Sequence, residues 1–430
     1  MRFRAHPGNA ARTMPGLFFG TWRLADLATW FFGPLLLALC ACSTLPPPDP
    51  RLERLPADAV RLPRVPLPPA DERADRAILS AFFEANHAPI TADECAQILD
   101  HPLAPGRMER AVLVRTARLH DLVLMTFNAN RRHLPAALRS GRVLLLYLPA
   151  ADPRAALPEL AIPVACSESD PATVWLLRGD GSVSPIPADD FFARRAPLKQ
   201  AALCLVAPSG LAAFARDAGQ KEPTRSQKLL LADFWYGQGQ YRRAAASYSS
   251  LLEAPDDDAP FDSLDALLGR ADSLVKLRKY SQAVRLYRQA LEQTPDNPRL
   301  LNNLAYALML ENQNVLEALV HANRARELDP RNPLVLETVG ALNLRVGDCE
   351  TAARTLELAW GHALRRPPEV QIAIMDQLVR AWLCSDRADL AYQVAEYRRR
   401  MFPEYKMPAD ILAQFPALRR LPTSPEPALP

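Results

Sequence analysis

The second half of the 430-residue chain repeats a pattern of small, aromatic and proline residues about every 34 residues. Ala244, Ala283 and Ala318 recur at one position, and Tyr248 and Tyr287 follow four residues after the first two of them. The apolar residues around them have the spacing of amphipathic helices. Because one such helix pair cannot bury its apolar face alone, several must stack. The pattern therefore predicts an all-α solenoid.

The predicted units span residues 225–258, 264–297, 298–332 and 333–366, followed by a diverged pair at 372–404 that caps the array. The third unit has one extra residue in its turn near Asn314, and the fifth pair keeps Ala391 and Ala395 but few turn residues. Residues 405–430 form a tail with a short helix and an end that we do not expect to fold.

These units resemble the tetratricopeptide repeat. The resemblance implies that the first helix of each pair lines a concave groove that holds a protein or peptide partner. The side chains expected to contact the partner are Asp233, Tyr236, Asp272, Lys276, Arg299, Asn302, Tyr306, Glu337 and Arg345. Their mixed charges favour an extended peptide or protein segment over an anionic polymer. The alternative is that each is only a solvated position on a helix.

The N-terminus has the features of an export signal. A basic segment precedes a short apolar run that ends in Leu39-Cys40-Ala41-Cys42. This ending resembles the bacterial lipoprotein box, which implies cleavage after Ala41 and a diacylglycerol, with palmitate, on Cys42. Ser43 follows instead of Asp, which implies sorting to the outer membrane with the body in the periplasm. The alternative is an ordinary leader, residues 1–41, with two chance cysteines.

Removal of residues 1–41 would take away four Arg and one Asp and bring the net charge from +3 to about 0. Binding to nucleic acid therefore has no electrostatic support. Residues 42–70 are rich in proline, which disfavours helix and sheet and predicts an extended tether.

Residues 71–210 predict an α+β domain in which helices come first and an antiparallel sheet follows. The candidate strands are the apolar runs at residues 122–127, 143–148, 173–178 and 201–207, with a hairpin turn at residues 178–182. No glycine-rich phosphate loop and no metal-spaced His cluster occurs in the sequence, so we expect neither cofactor nor metal.

The order of these elements resembles the papain-like, bacteriocin-processing cysteine peptidases and their lipoprotein relatives that carry tetratricopeptide repeats. In that family a Cys opens the first helix, and a His and then an Asp or Asn lie on later strands. Here Ala74 stands at the Cys position, Ile162 opens the stretch matching the His strand, and the next acid is Asp180. The resemblance therefore implies an inactive, peptidase-like domain rather than an enzyme.

Two other interpretations remain open. The chain would be an active papain-like cysteine peptidase if Cys95 or Cys166 were the nucleophile and His87, His101 or His120 the base. It would be a passive assembly factor if it bound its partner permanently. An oxidising compartment also allows disulfides. The candidate disulfides are Cys166 with Cys204 and Cys349 with Cys384, although sequence alone does not determine connectivity.

Overall fold

The computed structural model describes residues 55–63, 73–99, 108, 110–149, 159–167, 169, 172–253, 263–312 and 314–419. The expected signal peptide, the candidate lipidation site Cys42, His101 and the chain from residue 420 onward lie outside these residues, as does most of the tether. Within them, no helix combines the length and the apolar character that crossing a membrane requires.

The first half of the molecule is built around one antiparallel sheet. Its strands are β1 (Val60–Arg61), β2 (Val123–Asn128), β3 (Leu144–Leu148), β4 (Glu159–Ser167), β5 (Thr173–Leu177), β6 (Val183–Pro187) and β7 (Ala201–Val206). The helices of this half are α1 (Ala74–Ala85), α2 (Ala92–Leu99), α3 (Arg110–Leu119), α4 (Leu134–Arg139), α5 (Ala188–Arg195) and α6 (Leu211–Asp217). The strand order is β2-β7-β3-β4-β5-β6, and β1 pairs with β4. The expected antiparallel sheet is therefore confirmed.

The expected sequence of helices first and strands later is wrong in detail. β1 precedes all these helices, and α4 and α5 lie between strands. Pro135 lies in the first turn of α4, where its missing N–H costs no helical hydrogen bond. In α5, Asp189 and Asp190 lie in the first turn and Arg194 and Arg195 in the last, an arrangement that complements the helix dipole. Local signals of this kind therefore place short helices inside the strand-rich region.

β4 lies in the core of this half. Every residue of the strand except Glu159 is buried. Helix α1 packs on β4, and its buried face includes Ile78 and Phe82, which are four residues apart and so on one side of the helix. The Leu62 N–H donates to the Val164 carbonyl at 2.8 Å and extends the contact with β1. A strand covered in this way reads in sequence as a continuous apolar run.

The second half consists of consecutive helix pairs. The pairs are α7 (Arg225–Gly237) with α8 (Tyr241–Glu253), α9 (Ser263–Lys276) with α10 (Tyr280–Gln293), α11 (Pro298–Glu311) with α12 (Val315–Leu328), α13 (Pro333–Val346) with α14 (Cys349–Ala363), and α15 (Pro368–Cys384) with α16 (Ala388–Met401). The short helix α17 (Ala409–Gln414) follows. The expected all-α solenoid is present, and its last pair begins four residues before the predicted bound, at Pro368.

Helix starts and turns explain why the repeat is regular. Asn297 and Asn332 each accept a backbone N–H at the start of a first helix and are each followed by a proline in the first turn. Asn312 and Asn314 both have left-handed backbone conformations, with φ of 60° and 54°. Asparagine tolerates this conformation better than most residues. The turn of the third unit therefore accommodates its extra residue.

Small side chains let the paired helices approach closely. A fully buried alanine occupies the equivalent position near the start of each second helix: Ala244, Ala283, Ala318, Ala352 and Ala391. Two glycines likewise allow large side chains of neighbouring helices to pack closely. A Cβ on Gly269 would lie 2.3 Å from Cζ of Tyr248, and one on Gly340 would lie 2.5 Å from Cγ of Leu356. Each glycine therefore leaves room for a large side chain of a neighbouring helix.

The two halves meet at the first repeat helix. α7 packs against β2, an end strand of the sheet. The Gln238 amide after α7 donates to the Arg118 carbonyl and to the Asp121 carboxylate, both at 2.8 Å. A Cβ on Gly237 would lie 2.1 Å from a guanidinium nitrogen of Arg118. The start of the solenoid is therefore seated directly on the sheet domain.

Candidate protein-binding groove

The first helices of the repeat pairs line a groove with a cavity of about 600 Å³. Four helices contribute: α9, α11, α13 and α15. The lining side chains are Lys276, Asn302, Asn303, Tyr306, Met309, Leu310, Leu334, Glu337, Thr338, Ala341, Leu344, Arg345, Gln377 and Arg380. Equivalent positions of successive helices recur in this set, as Asn302 and Glu337 do at a spacing of 35 residues. We call this surface the groove.

The structure brings five of the nine expected partner-binding residues into the groove: Lys276, Asn302, Tyr306, Glu337 and Arg345. Tyr306 and Leu334 expose 42% and 46% of their surface, so the wall offers apolar contact area to a ligand. The remaining four, Asp233, Tyr236, Asp272 and Arg299, lie on the first helices nearer the sheet domain or at the start of α11, outside the cavity lining.

Asp233 and Asp272 are engaged in the repeat itself. The Tyr248 hydroxyl donates to Asp233 at 2.6 Å, and the Tyr287 hydroxyl donates to Asp272. Burial raises the pKa of both carboxyls, and the tyrosine hydrogen bonds act in the opposite direction. These two aspartates therefore stabilise the packing of their helix pairs and are less available to a partner than the sequence alone suggested.

Two neighbours of Asp272 complete this end of the array. Asn303 donates to Asp272 at 3.1 Å, and the Arg299 guanidinium lies 3.7 Å from the same carboxylate. Tyr236 packs edge to face against Tyr241, with ring centroids 5.5 Å apart, and burial raises the pKa of Tyr236 to about 12. Its hydroxyl is therefore protonated at any physiological pH.

The two arginines of the groove donate to acceptors within the chain. Arg345 donates to the Asn312 amide oxygen at 2.8 Å. Arg380 donates to the Asp410 carboxylate at 2.7 and 3.3 Å. Lys276 lies near enough to Asp272 to lower the pKa of that carboxyl. The guanidinium groups of this surface are thus held in place by the protein before any partner binds.

Two hydrogen-bond acceptors of the groove, unlike these arginines, have no partner among the described residues. The Asn302 Oδ1 is buried and receives no hydrogen bond in the part of the chain that the structure describes. Burial raises the pKa of Glu337 to about 7, with no compensating cation. The nearby Glu337 also contributes to the raised pKa of Tyr306, after burial. The groove therefore contains two acceptors that a ligand could satisfy.

Sequence reasoning missed several lining residues: Asn303, Leu334, Thr338, Gln377 and Arg380. Asn303 and Thr338 each follow an expected contact residue directly, and Leu334 lies three residues before Glu337. Leu334 occupies the repeat position of Arg299, 35 residues earlier, so extending the expected positions to every unit would have found it. Gln377 and Arg380 belong to the diverged fifth pair, where that signal is weak.

The three positions that the sequence resemblance assigned to a peptidase site, Ala74, Ile162 and Asp180, carry no Cys–His pair. Ala74 begins α1 and touches the turn after β5, since a Cβ on Gly179 would lie 2.2 Å from that of Ala74. Asp180 in this turn accepts the Ser182 N–H at 2.8 Å. Ile162 is fully buried on β4 and pairs with Leu177. Contact between Ala74 and Gly179 thus fills the space beside the helix N-terminus.

The candidate nucleophiles are buried. Cys95 is 1% exposed, with its sulfur 3.1 Å from the Ser80 hydroxyl. Cys166 is 6% exposed and borders a separate cavity of about 250 Å³ between β4, α4 and α5. Of the histidines considered as bases, His87 is exposed after α1 and His120 packs on the Phe83 ring at 6.3 Å. No cluster of potential metal ligands occurs among the described residues.

The two candidate disulfides differ. Cys349 and Cys384 are joined, which ties the start of α14 to the end of α15. The pairing of Cys166 with Cys204 was wrong, because β3 lies between their strands β4 and β7. Strands two places apart are about 9.5 Å from each other, which exceeds the reach of a disulfide. Burial raises the pKa of Cys204 to about 12.

Comparison with known proteins identifies the helix pairs. Residues 268–333 match the family model described as tetratricopeptide repeat. The chain therefore contains tetratricopeptide repeats, as the sequence resemblance implied. No curated protein matches the chain significantly.

Several solved structures are similar to a part of the chain. A thermophilic TPR protein from Thermus thermophilus is 21% identical, with 46% of this chain and 99% of that chain covered and a TM-score of 0.37. A chain of the Cut9–Hcn1 hetero-tetramer of the APC/C is 17% identical, with 46% of this chain and 36% of that chain covered and a TM-score of 0.40. MamA from MSR-1 is 18% identical, with 42% of this chain and 95% of that chain covered and a TM-score of 0.32.

Proposed function

We propose that the protein is a scaffold that holds an extended segment of a protein partner in the groove. The observation that carries this proposal is the cavity of about 600 Å³ along the first helices, with an apolar wall at Tyr306 and Leu334 and polar groups on either side. Concave, partly apolar surfaces with a few directed polar groups are typical binding sites. Tetratricopeptide repeats generally bind proteins, which agrees with this assignment.

The experiment compares two pairs of exposed apolar residues. A photo-crosslinking amino acid at Tyr306 or Leu334 should give discrete adducts with a partner in the native host. The same substitution at Leu316 or Val320, which are 73% and 67% exposed on the second helix of the third unit, serves as the control. Adducts at both pairs, or at neither, would contradict binding in the groove.

A loss-of-function variant completes the test. The double substitution Tyr306→Ala and Leu334→Ala removes apolar surface from the groove, whereas Leu316→Ala and Val320→Ala removes it from α12. All four side chains are exposed, so both variants should fold. We expect only the first to lose the adduct that a crosslinker at Asn302 forms with the partner.

The proposed location is the periplasmic face of the outer membrane, with the N-terminus anchored through a diacylglycerol on Cys42. Leu39 three residues before Cys42 and Ala41 directly before it support this proposal. The experiment is labelling with radioactive palmitate. Incorporation should disappear in Cys42→Ala and persist in Cys40→Ala. If neither the wild type nor Cys40→Ala were labelled, the result would contradict the proposed anchor.

The sheet domain is proposed to be a catalytically inactive relative of papain-like peptidases. Ala74, Ile162 and Asp180 support this proposal, since neither the nucleophile nor the base is present at the corresponding positions. The domain would then serve as a folded base for the repeats, in keeping with the contacts of Gln238.

A further inference from the structure

We propose that the groove takes up a lysine or arginine side chain of the partner between Asn302 and Glu337. The inference rests on the proposed function, because it assumes that a peptide segment lies in the groove. It adds the chemistry of one residue of that segment and the position at which it binds.

The geometry begins with the equivalent positions of the two residues. Asn302 on α11 and Glu337 on α13 are 35 residues apart and line the same cavity. The two helices contact each other, and packed helices have axes about 8–10 Å apart. A cationic group placed between the two side chains can therefore reach both of them.

Neither the Asn302 Oδ1 nor the Glu337 carboxyl receives a hydrogen bond from the described part of the chain. The Asn302 Oδ1 is buried without a hydrogen bond, and the Glu337 carboxyl has neither a hydrogen bond nor an ion pair within the described ranges. A buried polar atom without a partner, as at the Asn302 Oδ1, has a cost in stability. A ligand that donates hydrogen bonds to both positions would remove this cost. Ammonium and guanidinium groups carry several donors and a positive charge, and no acceptors.

The cations around the groove do not supply these donors. Arg345 on α13 is bound to Asn312, and Arg380 on α15 is bound to Asp410. Lys276 on α9 interacts with Asp272. Among the described residues, Tyr306 on α11 also interacts electrostatically with Glu337, and it stays neutral because burial raises its pKa. The local charge that lacks a counterpart is therefore the Glu337 carboxylate, and a cation complements it.

Protonation of Glu337 gives the inference a measurable signature. Burial raises its pKa to about 7, so the carboxyl is part protonated near neutral pH. A bound cation favours the ionised form and lowers this pKa. Binding should therefore release a proton, and affinity should increase by up to about tenfold between pH 6 and pH 8. An apolar or acidic occupant would produce the opposite trend.

The probe is a phage-displayed library of random twelve-residue peptides, selected on the wild-type protein at pH 7.5. Groove binders are those that the Tyr306→Ala, Leu334→Ala double variant no longer retains. A selected peptide is then synthesised with both ends blocked, and its lysine is replaced by norleucine or its arginine by citrulline. Affinities are measured for the wild type, Glu337→Gln, and the control Glu357→Gln, an exposed position on α14.

The inference expects groove binders that share a Lys or Arg at one position. Its replacement should weaken binding at least tenfold to the wild type and to Glu357→Gln, and less than twofold to Glu337→Gln. The pH dependence should also disappear in Glu337→Gln. Groove binders without such a residue, or with equal losses in all three proteins, would overturn the inference and leave the proposed function intact. Absence of any groove-dependent peptide would overturn the proposed function as well.

Discussion

The Tyr248 hydroxyl donates a hydrogen bond of 2.6 Å to Asp233, fifteen residues earlier, and Tyr287 makes the same bond to Asp272 at the same separation. The two partners are replaced together in later units. In the fourth unit the corresponding residues are Ala341 and Leu356. Aspartate occurs at this concave position where a tyrosine on the second helix can donate to it.

We expect Tyr248→Phe to lower the free energy of unfolding by about 0.5–1.5 kcal/mol, because the buried Tyr248 loses its hydrogen bond to the Asp233 carboxylate while the ring remains. The measurement is urea denaturation followed by circular dichroism. Tyr397→Phe is the matched control, since this tyrosine is 41% exposed and packs only its ring against Trp360. Equal stability of the two variants would mean that the Asp233 bond contributes nothing.

Gly269 provides a second prediction. Alanine is normally favoured over glycine in a helix by about 1 kcal/mol. At Gly269, however, the new Cβ would lie 2.3 Å from the Tyr248 ring, so we expect Gly269→Ala to destabilise the protein by about 1–3 kcal/mol. Gly361 on α14 has no atom within 4 Å of the corresponding point, and Gly361→Ala should be neutral or stabilising. Thermal unfolding of the two variants side by side decides whether packing or propensity dominates.

Glu337 makes stability dependent on pH. Its folded-state pKa of about 7 lies above the ordinary 4.5, so the unfolded chain loses this proton at a lower pH. Its contribution to stability therefore falls as the pH rises from 4.5 to 7 and stays low above that. We expect Glu337→Gln to be about 2 kcal/mol more stable than the wild type at pH 8 and nearly equal to it at pH 4. A constant difference at both values of pH, measured by denaturant unfolding, would contradict the raised pKa.

The buried thiols predict the outcome of chemical labelling. Cys204 has its pKa raised to about 12, and Cys95 is 1% exposed. We expect iodoacetamide at pH 7.5 to leave both unmodified in the folded protein and to label both after unfolding. Peptide mapping by mass spectrometry reads each site separately. Rapid labelling of Cys95 in the folded protein, lost on unfolding, would instead support an active peptidase.

Much of the helical half could be predicted from sequence because its packing is local. Ala244 and the alanines equivalent to it mark where each pair crosses, and Asn332 followed by Pro333 marks where a helix starts. The same periodicity placed Asn302 and Glu337 on the concave side. Arg380 was missed because the fifth pair lacks the turn residues that give the register.

The sheet was harder to predict because strand order depends on contacts between distant residues. Strands at residues 122–127 and 143–148 were expected, yet nothing in either run shows that β7 lies between them. This position of β7 separates Cys204 from Cys166. The involvement of Asp272 with Tyr287 was missed for a related reason, since a hydrogen bond between two helices has no local signature.

The contacts of Gln238 with Arg118 and Asp121 remove the freedom that a flexible linker would give. The sheet domain and the repeats should therefore tumble in solution together. A segment held near Tyr306 is then presented at a constant angle to the sheet domain. Whatever binds both surfaces at once would need a matching, fixed separation between its own two contact sites.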